Sequence, residues 1–435
     1  MVLSSAAVAA LLFSGIAAAQ IPAVHHGDST ARGIGVPPPP STTKNITVGK
    51  DPTAVTYDPA TAKIFVANYG SGTVSVISGT TVVKTISIGK DPETILYDAK
   101  NTLLYAVNTG SDNVSVINGS TDKLVGTVSG FAAFYPISVY DPSNGAEYLF
   151  SNSGLGGATT LYRLPTTTPY TFTTIKLGNY SDYATYDPAT TDLVVSNEIS
   201  STLSIVNSST NVVKTVTIKT GTYPGVSVYN PTNKDVYIVD VGNLGLPSKT
   251  GNVTVLGSSN SIVKTLSVGG HPISVALNPS THDVYVVNIT LSAHGYSVNC
   301  SVTPITSGNS AKKAIKVGEG AYYATYDPNN NEMYVTESRS NVTAIISGVT
   351  LRTTLTTNGN PEGVVYDPAT TDMILVQDTA ATVAGRLTLV SSPTSGNPAV
   401  VGTQVVGKDP TGYAYDASNT DAYVSNYDSK SVTEF

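Results

Sequence analysis

The sequence has little of what most catalytic or metal-binding proteins rely on. Among its 435 residues there is no tryptophan, there are three methionines, and Cys300 is the single cysteine. One cysteine excludes an intramolecular disulfide framework, a four-cysteine zinc site and haem attachment through a Cys-x-x-Cys-His motif. Charged residues make up only 12% and the formal net charge is -7. No nucleic-acid partner is therefore expected, because neutralising phosphates requires clustered lysine and arginine.

Histidine is also scarce, with five in the whole chain. His25 and His26 form a tandem pair near the N-terminus, which in a flexible tail is typically solvated. His271, His282 and His294 lie in one later stretch without the close spacing of paired metal ligands. Acidic calcium loops of the Asp-x-Asp-x-Asp-Gly kind do not occur. We expect neither a metal nor a cofactor.

What the chain does contain favours strands. Tyrosine occurs 26 times, and valine, threonine, isoleucine and serine stand where helix formers would otherwise be. Aromatic and β-branched residues fit the pleated, half-buried surface of a sheet. The length suits either several small domains or one large repetitive domain.

The N-terminus predicts export. Residues 1–19 contain an apolar run that ends in Ala17-Ala18-Ala19, the small-residue pattern of a signal-peptidase site. This run contains no lysine or arginine, so a short anchor is the alternative. Residues 20–43 then form a Gly/Pro-rich linker with a tetraproline, typical of a semi-rigid spacer. No other stretch predicts a membrane span, so we expect none after signal cleavage and a location that is secreted or at the cell surface.

A Tyr-Asp-Pro signal recurs through the rest of the chain at intervals of roughly 40 to 50 residues, the period of four-stranded propeller blades. Its first residues are Tyr57, Tyr97, Tyr140, Tyr186, Tyr229, Leu277, Tyr326, Tyr366 and Tyr415. In the first unit, the Asp58-Pro59 turn ends the first of four short strands, Gly70-Ser71-Gly72 follows the second, and Gly89 ends the fourth. Turns every 8 to 12 residues leave no room for helices.

The second strand of each unit carries its own pattern. Examples are Tyr105-Ala106-Val107-Asn108, Tyr285-Val286-Val287-Asn288 and Tyr423-Val424-Ser425-Asn426. This pattern resembles the YVTN repeat of β-propeller surface proteins, and the resemblance covers residues 44–435. It implies a toroid of four-stranded blades in a surface-layer or secreted protein. Units three, four and eight depart from the pattern, with Leu149-Phe150-Ser151-Asn152 as the third.

The two ends of the chain predict ring closure. The last unit stops after three strands at Phe435, while Lys44–Val48 matches the fourth strand of the first unit, Lys84–Ile88. We therefore predict an all-β fold, a single closed β-propeller over 44–435 in which the N-terminal strand completes the last blade. The sequence count is nine blades. Eight is the alternative if one of the two least regular units, 141–178 or 278–318, is not a blade.

The loops that lead into the first strands are expected to surround one mouth of the central channel. They contribute a possible site for a cation, a sugar or a peptide, made of Asp51, Asp91, Tyr135, Asp182, Tyr223, His271, Tyr322 and Asp409. In the competing structural interpretation, each Asp before Pro caps its turn and pairs with the neighbouring lysine. The polar residues that end the second strands are expected to bond to adjacent loop backbone, blade to blade.

Two further sets of residues bear on function. Glu93, Glu362, His271 and Arg386 are the possible groups for a lactonase- or lyase-like reaction, but they belong to well-separated units. Asn-x-Ser/Thr sequons, possible N-glycosylation sites in an exported protein, begin at Asn45, Asn113, Asn118, Asn179, Asn207, Asn252, Asn288, Asn299 and Asn341. We expect a non-enzymatic, cell-surface interaction or envelope protein whose partners are other envelope proteins or glycans. A propeller enzyme and a channel-mouth binding module are the alternatives.

Overall fold

The computed structural model describes residues 43–131, 137–151, 158–219, 223–242, 251–291, 297–357, 359–367, 370–378, 384–394, 396–416 and 421–435. The signal peptide and nearly all of the linker lie outside these residues and stay predictions. The described residues form 37 β-strands and two short 3-10 helices, Tyr69–Ser71 and Thr109–Ser111. No helix among them is long and apolar enough to cross a membrane.

The strands form nine antiparallel sheets, which are the blades of a propeller. The chain begins with β1 (Lys44–Thr47). Blade 1 contains β2 (Pro52–Asp58), β3 (Lys63–Asn68), β4 (Thr73–Ser78) and β5 (Thr81–Ser87). Blade 2 contains β6 (Pro92–Asp98), β7 (Leu103–Asn108), β8 (Asn113–Asn118) and β9 (Lys123–Ser129). Blade 3 contains β10 (Ser138–Asp141), β11 (Ala146–Ser151), β12 (Ala158–Arg163) and β13 (Thr173–Asn179).

The next three blades follow the same order. Blade 4 contains β14 (Ser181–Asp187), β15 (Asp192–Asn197), β16 (Thr202–Asn207) and β17 (Val213–Thr217). Blade 5 contains β18 (Pro224–Asn230), β19 (Asp235–Asp240), β20 (Asn252–Gly257) and β21 (Ser261–Ser267). Blade 6 contains β22 (His271–Leu277), β23 (Val284–Leu291), β24 (Ser297–Thr306), β25 (Ser310–Ala311) and β26 (Ile315–Lys316). Its outer strand is split, because β25 and β26 both pair with β24.

The last three blades complete the ring. Blade 7 contains β27 (Ala321–Asp327), β28 (Glu332–Glu337), β29 (Val342–Ser347) and β30 (Thr350–Thr356). Blade 8 contains β31 (Asn360–Tyr366), β32 (Met373–Asp378), β33 (Arg386–Ser391) and β34 (Ala399–Val405). Blade 9 contains β35 (Pro410–Asp416), β36 (Asp421–Asn426) and β37 (Ser431–Glu434), and takes β1 as its fourth strand.

The predicted closure is confirmed. Strand β1 pairs antiparallel with β37, with Lys44 opposite Glu434 and Ile46 opposite Val432, and the Ile46 side chain is buried. The count of nine blades is also confirmed, and the alternative of eight is wrong, because both irregular units form blades: blade 3 has four strands, and blade 6 has the same order with its outer strand split in two. Without this pairing, strand β37 would have an unpaired edge to which another chain could add a strand.

The first strand of each blade lies at the channel. Strand β2 contacts both β35 and β6, the first strands of its two neighbours. Hydroxyl groups join these inner strands across the blade boundaries. Thr53 Oγ1 donates to the Pro92 carbonyl at 2.9 Å, and Thr411 Oγ1 donates to the Pro52 carbonyl at 3.1 Å.

The second strand of each blade is buried on both faces. In β7, every residue from Leu103 to Asn108 is buried, and β15, β19 and β28 show the same pattern. One face packs on the preceding blade and the other on the following blade, so alternation between apolar and polar residues is not required. The core is therefore a series of layers between blades.

The tyrosine that begins the repeated second-strand pattern joins one blade to the next. The Tyr105 hydroxyl donates to the Pro165 carbonyl of blade 3 at 2.8 Å, and the Tyr285 hydroxyl donates to the Gly348 carbonyl of blade 7 at 2.9 Å. Strand pairing also corrects one alignment. In blade 3, Ala146 lies opposite Asp141, as Leu103 lies opposite Asp98 in blade 2. Tyr148 thus takes the tyrosine position, and the pattern is Tyr148-Leu149-Phe150-Ser151, one residue earlier than predicted.

The Asp of the Tyr-Asp-Pro signal makes the predicted turn. Asp58 Oδ1 accepts the Ala60 N–H at 2.9 Å, and Asp187 Oδ1 accepts the Ala189 N–H at 2.8 Å. Asn230 makes the same bond to Thr232 at 3.1 Å, which explains why Asn can replace Asp in this unit.

Removing the closing strand should destabilise the whole ring. A chain that lacks residues 1–48 loses the β1–β37 pairing and exposes the core around Ile46, so we expect the free energy of unfolding to fall by at least about 2 kcal/mol. Urea unfolding is the measurement. A chain that lacks only residues 1–43 is the control and should match the full chain. Equal stability of the two truncated chains would contradict closure by β1.

Removing one inter-blade hydroxyl should have a smaller, local cost. Tyr285→Phe leaves the Gly348 carbonyl without its donor, and we expect a loss of about 1–2 kcal/mol in unfolding free energy. Blade 1 has Phe65 at this position, so a phenylalanine side chain fits there. Tyr326→Phe, whose exposed hydroxyl contacts Ser280 at 2.5 Å, is the control and should change stability by less than about 0.5 kcal/mol.

Candidate functional site

The predicted mouth loops have a repeated backbone geometry. Each Lys-Asp-Pro segment connects the outer strand of one blade to the inner strand of the next, and its Asp adopts a left-handed conformation. The φ angles are 53° for Asp51, 52° for Asp91 and 51° for Asp409. Asp is among the few residues besides glycine that tolerate this region.

Hydrogen bonds hold each segment to the turn between the second and third strands of the same blade. The Tyr69 N–H donates to the Asp51 carbonyl at 2.8 Å, and the Gly70 N–H donates to the Lys50 carbonyl at 3.1 Å. The Lys50 N–H donates to Ser71 Oγ at 2.6 Å. Equivalent bonds join Lys90 to Ser111 at 2.9 Å and Lys408 to Ser429 at 2.7 Å. These repeated bonds support the structural interpretation of the Lys-Asp-Pro backbone.

The predicted pairing of each Asp with its neighbouring lysine is not seen for Asp51 or Asp91. Two ion pairs that the structure does show, Lys63–Asp122 at 2.7 Å and Arg352–Glu332 at 2.5 Å, lie away from the mouth. The mouth lysines contribute their backbone N–H groups instead, and Lys50, Lys90 and Lys408 have exposed side chains.

The Asp side chains lie over glycines. A Cβ atom at Gly70 would lie 2.1 Å from Oδ2 of Asp51, and one at Gly110 would lie 2.1 Å from Oδ2 of Asp91. No larger residue fits at either glycine unless the carboxylate moves. The turn glycines therefore set the direction in which these carboxylates point, which is a role that the sequence patterns did not reveal.

Two tyrosines, Tyr69 and Tyr427, also lie at this mouth. Burial raises the pKa of Tyr69, and the charges of Asp91 and Glu93 add to the rise. Burial likewise raises the pKa of Tyr427, with further contributions from the charge of Asp51 and from Asp409. The groups belong to blades 9, 1 and 2, whose first strands β35, β2 and β6 lie side by side. We call Asp51, Tyr69, Asp91, Glu93, Asp409 and Tyr427 the mouth arc.

Glu93 is the most perturbed carboxyl group of the mouth arc. Burial raises its pKa to about 7, while a hydrogen bond from the Thr109 side chain lowers it in part. A carboxyl group that titrates near neutral pH can exchange protons there. This property gives Glu93 protonation chemistry that suits an acid or a base.

The other predicted mouth residues lie in other blades or outside the described residues. His271 is 1% exposed, and its Nδ1 lies 3.0 Å from the Val241 carbonyl. Tyr223 is half-buried and accepts the Val241 N–H at 2.9 Å through its carbonyl. Tyr322 is half-buried in β27. Asp182 is in β14, but its side chain is outside the described part, as is the whole of Tyr135.

The possible catalytic residues are not brought together. Glu93 belongs to blade 2 and the buried His271 to blade 6, on nearly opposite sides of the ring. Arg386 is the first residue of β33 in blade 8. Glu362 is in β31, and its side chain is outside the described residues. Among the described residues, no group of three or more His, Cys, Asp or Glu could hold a metal ion.

The polar residues that end the second strands have a different role from the one predicted. Asn68 Nδ2 donates to Ser75 Oγ at 3.0 Å, and Asn426 Nδ2 donates to Thr433 Oγ1 at 2.9 Å. These partners lie on the third strand of the same blade, not on loop backbone of a neighbour. The hydroxyl follows the amide by seven residues in each case, which is the sequence signal that would have revealed the pair. Gln377 does bond to loop backbone, at 3.2 Å from the Gly359 carbonyl.

One member of this set is an acid. Asp240 ends the second strand of blade 5 and is 2% exposed. Thr254 Oγ1 donates to its Oδ2 at 2.7 Å, and Oδ1 has no hydrogen-bond partner. Burial raises the pKa of Asp240 to about 7, although the Thr254 hydrogen bond opposes the rise.

The sequons differ in access. Asn288 is 1% exposed and donates to Thr303 Oγ1 at 3.1 Å, so it is a poor glycan acceptor in the folded chain. The other eight stay predictions. Exposed ones are Asn45, Asn179, Asn299 and Asn341, and half-buried ones are Asn113, Asn118, Asn207 and Asn252.

The fold and the mouth define the class of protein: a nine-bladed β-propeller with a tyrosine- and carboxylate-bearing channel mouth. No protein-family model matches the chain, and no curated protein sequence matches it either. The dihydro-heme d1 dehydrogenase NirN, solved in complex with DHE, is similar in structure at 13% identity and a TM-score of 0.59, over 84% of this chain and 76% of that one.

Two other solved structures are similar. The Dos1 propeller has 12% identity and a TM-score of 0.51, over 90% of this chain and 93% of its own. Hydrazine synthase from Kuenenia stuttgartiensis has 14% identity and a TM-score of 0.49, over 90% of this chain and 96% of its own. At these identities the likeness shows the propeller fold alone.

Asp240 should make stability depend on pH. Its pKa is higher in the folded chain than in the unfolded chain, so its contribution is fully present at acidic pH and is lost as the pH rises to about 7. Asp240→Asn, which restores the residue found at this position in blades 1, 2, 4, 6 and 9, should therefore change stability little at pH 4 and raise it by roughly 2–4 kcal/mol at pH 8.

Urea unfolding at pH 4, 6 and 8 measures this difference. The exposed Asp428→Asn variant serves as the control and should give the same small change at each pH. An Asp240→Asn variant that is no more stable than the wild type at pH 8 would show that ionisation of Asp240 does not destabilise the folded chain.

Proposed function

We propose that this chain is a non-enzymatic interaction protein, exported and held at the cell surface, which binds an envelope partner through the mouth arc. The observation that carries the proposal is the mouth arc itself. Side chains of Asp51, Tyr69, Asp91 and Tyr427 are collected at one face, on loops whose backbone is fixed by hydrogen bonds.

A rigid backbone favours recognition. Binding costs less when loops are already ordered in the bound conformation. The bonds from the Lys50 and Lys90 N–H groups to Ser71 and Ser111 order these loops without using the carboxylate and phenol groups. The side chains of Asp51, Tyr69, Asp91 and Tyr427 are therefore carried by loops whose backbone is already ordered.

The chemistry of the mouth suits a protein or glycan partner. The exposed lysines Lys50, Lys90 and Lys408 stand beside half-buried carboxylates, so both signs of charge are present. Tyrosines offer a rigid apolar face and a hydroxyl group, a combination that is common at protein interfaces. The resemblance of the second strands to the YVTN repeat supports a surface-layer or secreted setting, as does the apolar N-terminal run.

A lactonase- or lyase-like activity is the second candidate, and Glu93 is the observation that favours it. Its pKa of about 7 suits an acid or base. Such a reaction also needs a second group near the first. His271, the neutral base expected for that role, is buried in blade 6, so Glu93 would have to act with its neighbours Tyr69 and Asp91.

The mouth arc should be required for binding to the envelope. We expect the double variant Tyr69→Ala/Tyr427→Ala to bind isolated cell envelopes of the producing organism at least about tenfold more weakly, a loss of about 1.4 kcal/mol. Co-sedimentation with a titrated envelope fraction is the measurement. Tyr326→Ala, at the opposite end of an inner strand, is the control and should bind like the wild type.

Two outcomes would contradict the proposal. One is envelope binding that the double variant retains in full. The other is turnover of lactones or glycans by the purified protein that is lost in Glu93→Gln, which would establish the second candidate instead.

A further inference from the structure

A cleft lies on the outer rim between blades 2 and 3. It measures about 380 Å³ and is open to solvent. Its lining includes Thr127, Ser129, Tyr162, Tyr170, Phe172 and Thr174. The cleft lies at the outer strand β9, on the perimeter of the disc, so it is separate from the mouth arc.

A single glycine makes room for this cleft. Gly126 pairs with Val116 in β8, as Lys84 pairs with Val76 in blade 1 and Lys264 pairs with Val255 in blade 5. Several blades thus have lysine at this position, whereas blade 2 has glycine, as blade 8 does at Gly402. A Cβ atom at Gly126 would lie 2.4 Å from Cδ2 of Tyr170. The Tyr170 ring therefore rests directly on the strand backbone, in space that a side chain would fill.

The remaining aromatic rings support one another. Tyr162 and Phe172 meet edge to face with centroids 5.0 Å apart, and Phe131 lies edge to face on Tyr162 at 5.2 Å. Phe131 is fully buried, while Tyr162, Tyr170 and Phe172 are half-buried. A buried base thus holds three partly exposed rings in place, as expected of a preformed site.

The polar part of the lining consists of neutral groups. Thr127, Ser129, Thr171 and Thr174 are exposed and contribute hydroxyls, and no charged side chain lines the cleft. Hydroxyls both donate and accept hydrogen bonds. The cleft therefore has no charge with which to select an ion, and its volume is in the range of small-ligand sites, about 300–1,000 Å³.

We propose that this rim cleft is a binding site for a neutral saccharide of one or two rings. A pyranose has an apolar face of C–H groups and an edge of hydroxyls. The Tyr170 and Phe172 rings match the face, and the threonine and serine hydroxyls match the edge. The site is additional to the mouth arc and does not depend on it.

A proline-rich peptide is the other ligand that aromatic clefts commonly bind. The lining favours the saccharide for one reason. A polyproline segment has carbonyl acceptors but no backbone N–H donors. It therefore cannot donate a hydrogen bond to the hydroxyl oxygens of the cleft. The hydroxyls of the rim cleft can both donate and accept hydrogen bonds. Only a ligand that also does both, as a saccharide does, can satisfy them fully.

Saturation-transfer NMR with glucose, mannose, maltose and cellobiose tests the proposal on the purified full chain, with affinities from titration. We expect saturable binding of at least one of these sugars. Gly126→Lys introduces the lysine that blades 1 and 5 have and displaces Tyr170, and Tyr170→Ala removes the ring. Each should weaken binding at least tenfold in a chain that still unfolds in a cooperative transition.

Gly402→Lys is the matched control. Gly402 occupies the equivalent position in blade 8, opposite Leu389, so its replacement should leave sugar binding unchanged. The mouth variant Tyr69→Ala/Tyr427→Ala should also bind sugar like the wild type, which separates this proposal from the proposed function.

Three results would overturn the proposal. The first is that none of the four sugars binds. The second is that binding survives both Gly126→Lys and Tyr170→Ala. The third is that the synthetic peptide Gly-Val-Pro-Pro-Pro-Pro-Ser-Thr binds at the cleft and the sugars do not, which would assign it to polyproline recognition.

Discussion

The burial of each second strand on both faces is the constraint on which the rest of this structure depends. A strand such as β7, with all six side chains from Leu103 to Asn108 buried, needs a blade on either side of it. No blade can therefore end the series, and the ring must close. The pairing of β1 with β37 meets this requirement with four residues from the far end of the chain.

The inter-blade bonds show why the repeat has the residues that it has. Tyr105 and Tyr285 reach a carbonyl of the next blade, Thr53 joins the inner strands, and the Asp of the Tyr-Asp-Pro signal forms the turn. Each of these side chains is a donor or acceptor whose hydrogen bond is buried or partly buried. The loss of one leaves a buried polar group unsatisfied, so these positions are maintained by structure and do not report function.

Positions that break the repeat carry more information. Position 126 is glycine where blades 1 and 5 have lysine, and the Tyr170 ring occupies the space that a side chain would take. Aspartate replaces asparagine at position 240, and a buried carboxyl group with a pKa of about 7 results. The mouth arc is intermediate, because its backbone follows the repeat while Tyr69, Glu93 and Tyr427 vary from blade to blade. In a repeat protein, departures from internal symmetry identify the candidate sites.

The all-β class, the nine blades, the turn residues and the closing strand can all be predicted from the sequence, because each depends on local patterns or on a match between two segments of the chain. Tertiary structure decided the rest. The one-residue shift in blade 3 appears only when Asp141 is seen opposite Ala146. The separation of Glu93 from His271, the burial of Asn288 and the contact of Tyr170 with Gly126 all depend on how blades are placed around a ring. The positions of their blades in the ring decide whether two residues far apart in sequence become neighbours, and their spacing along the chain does not show it.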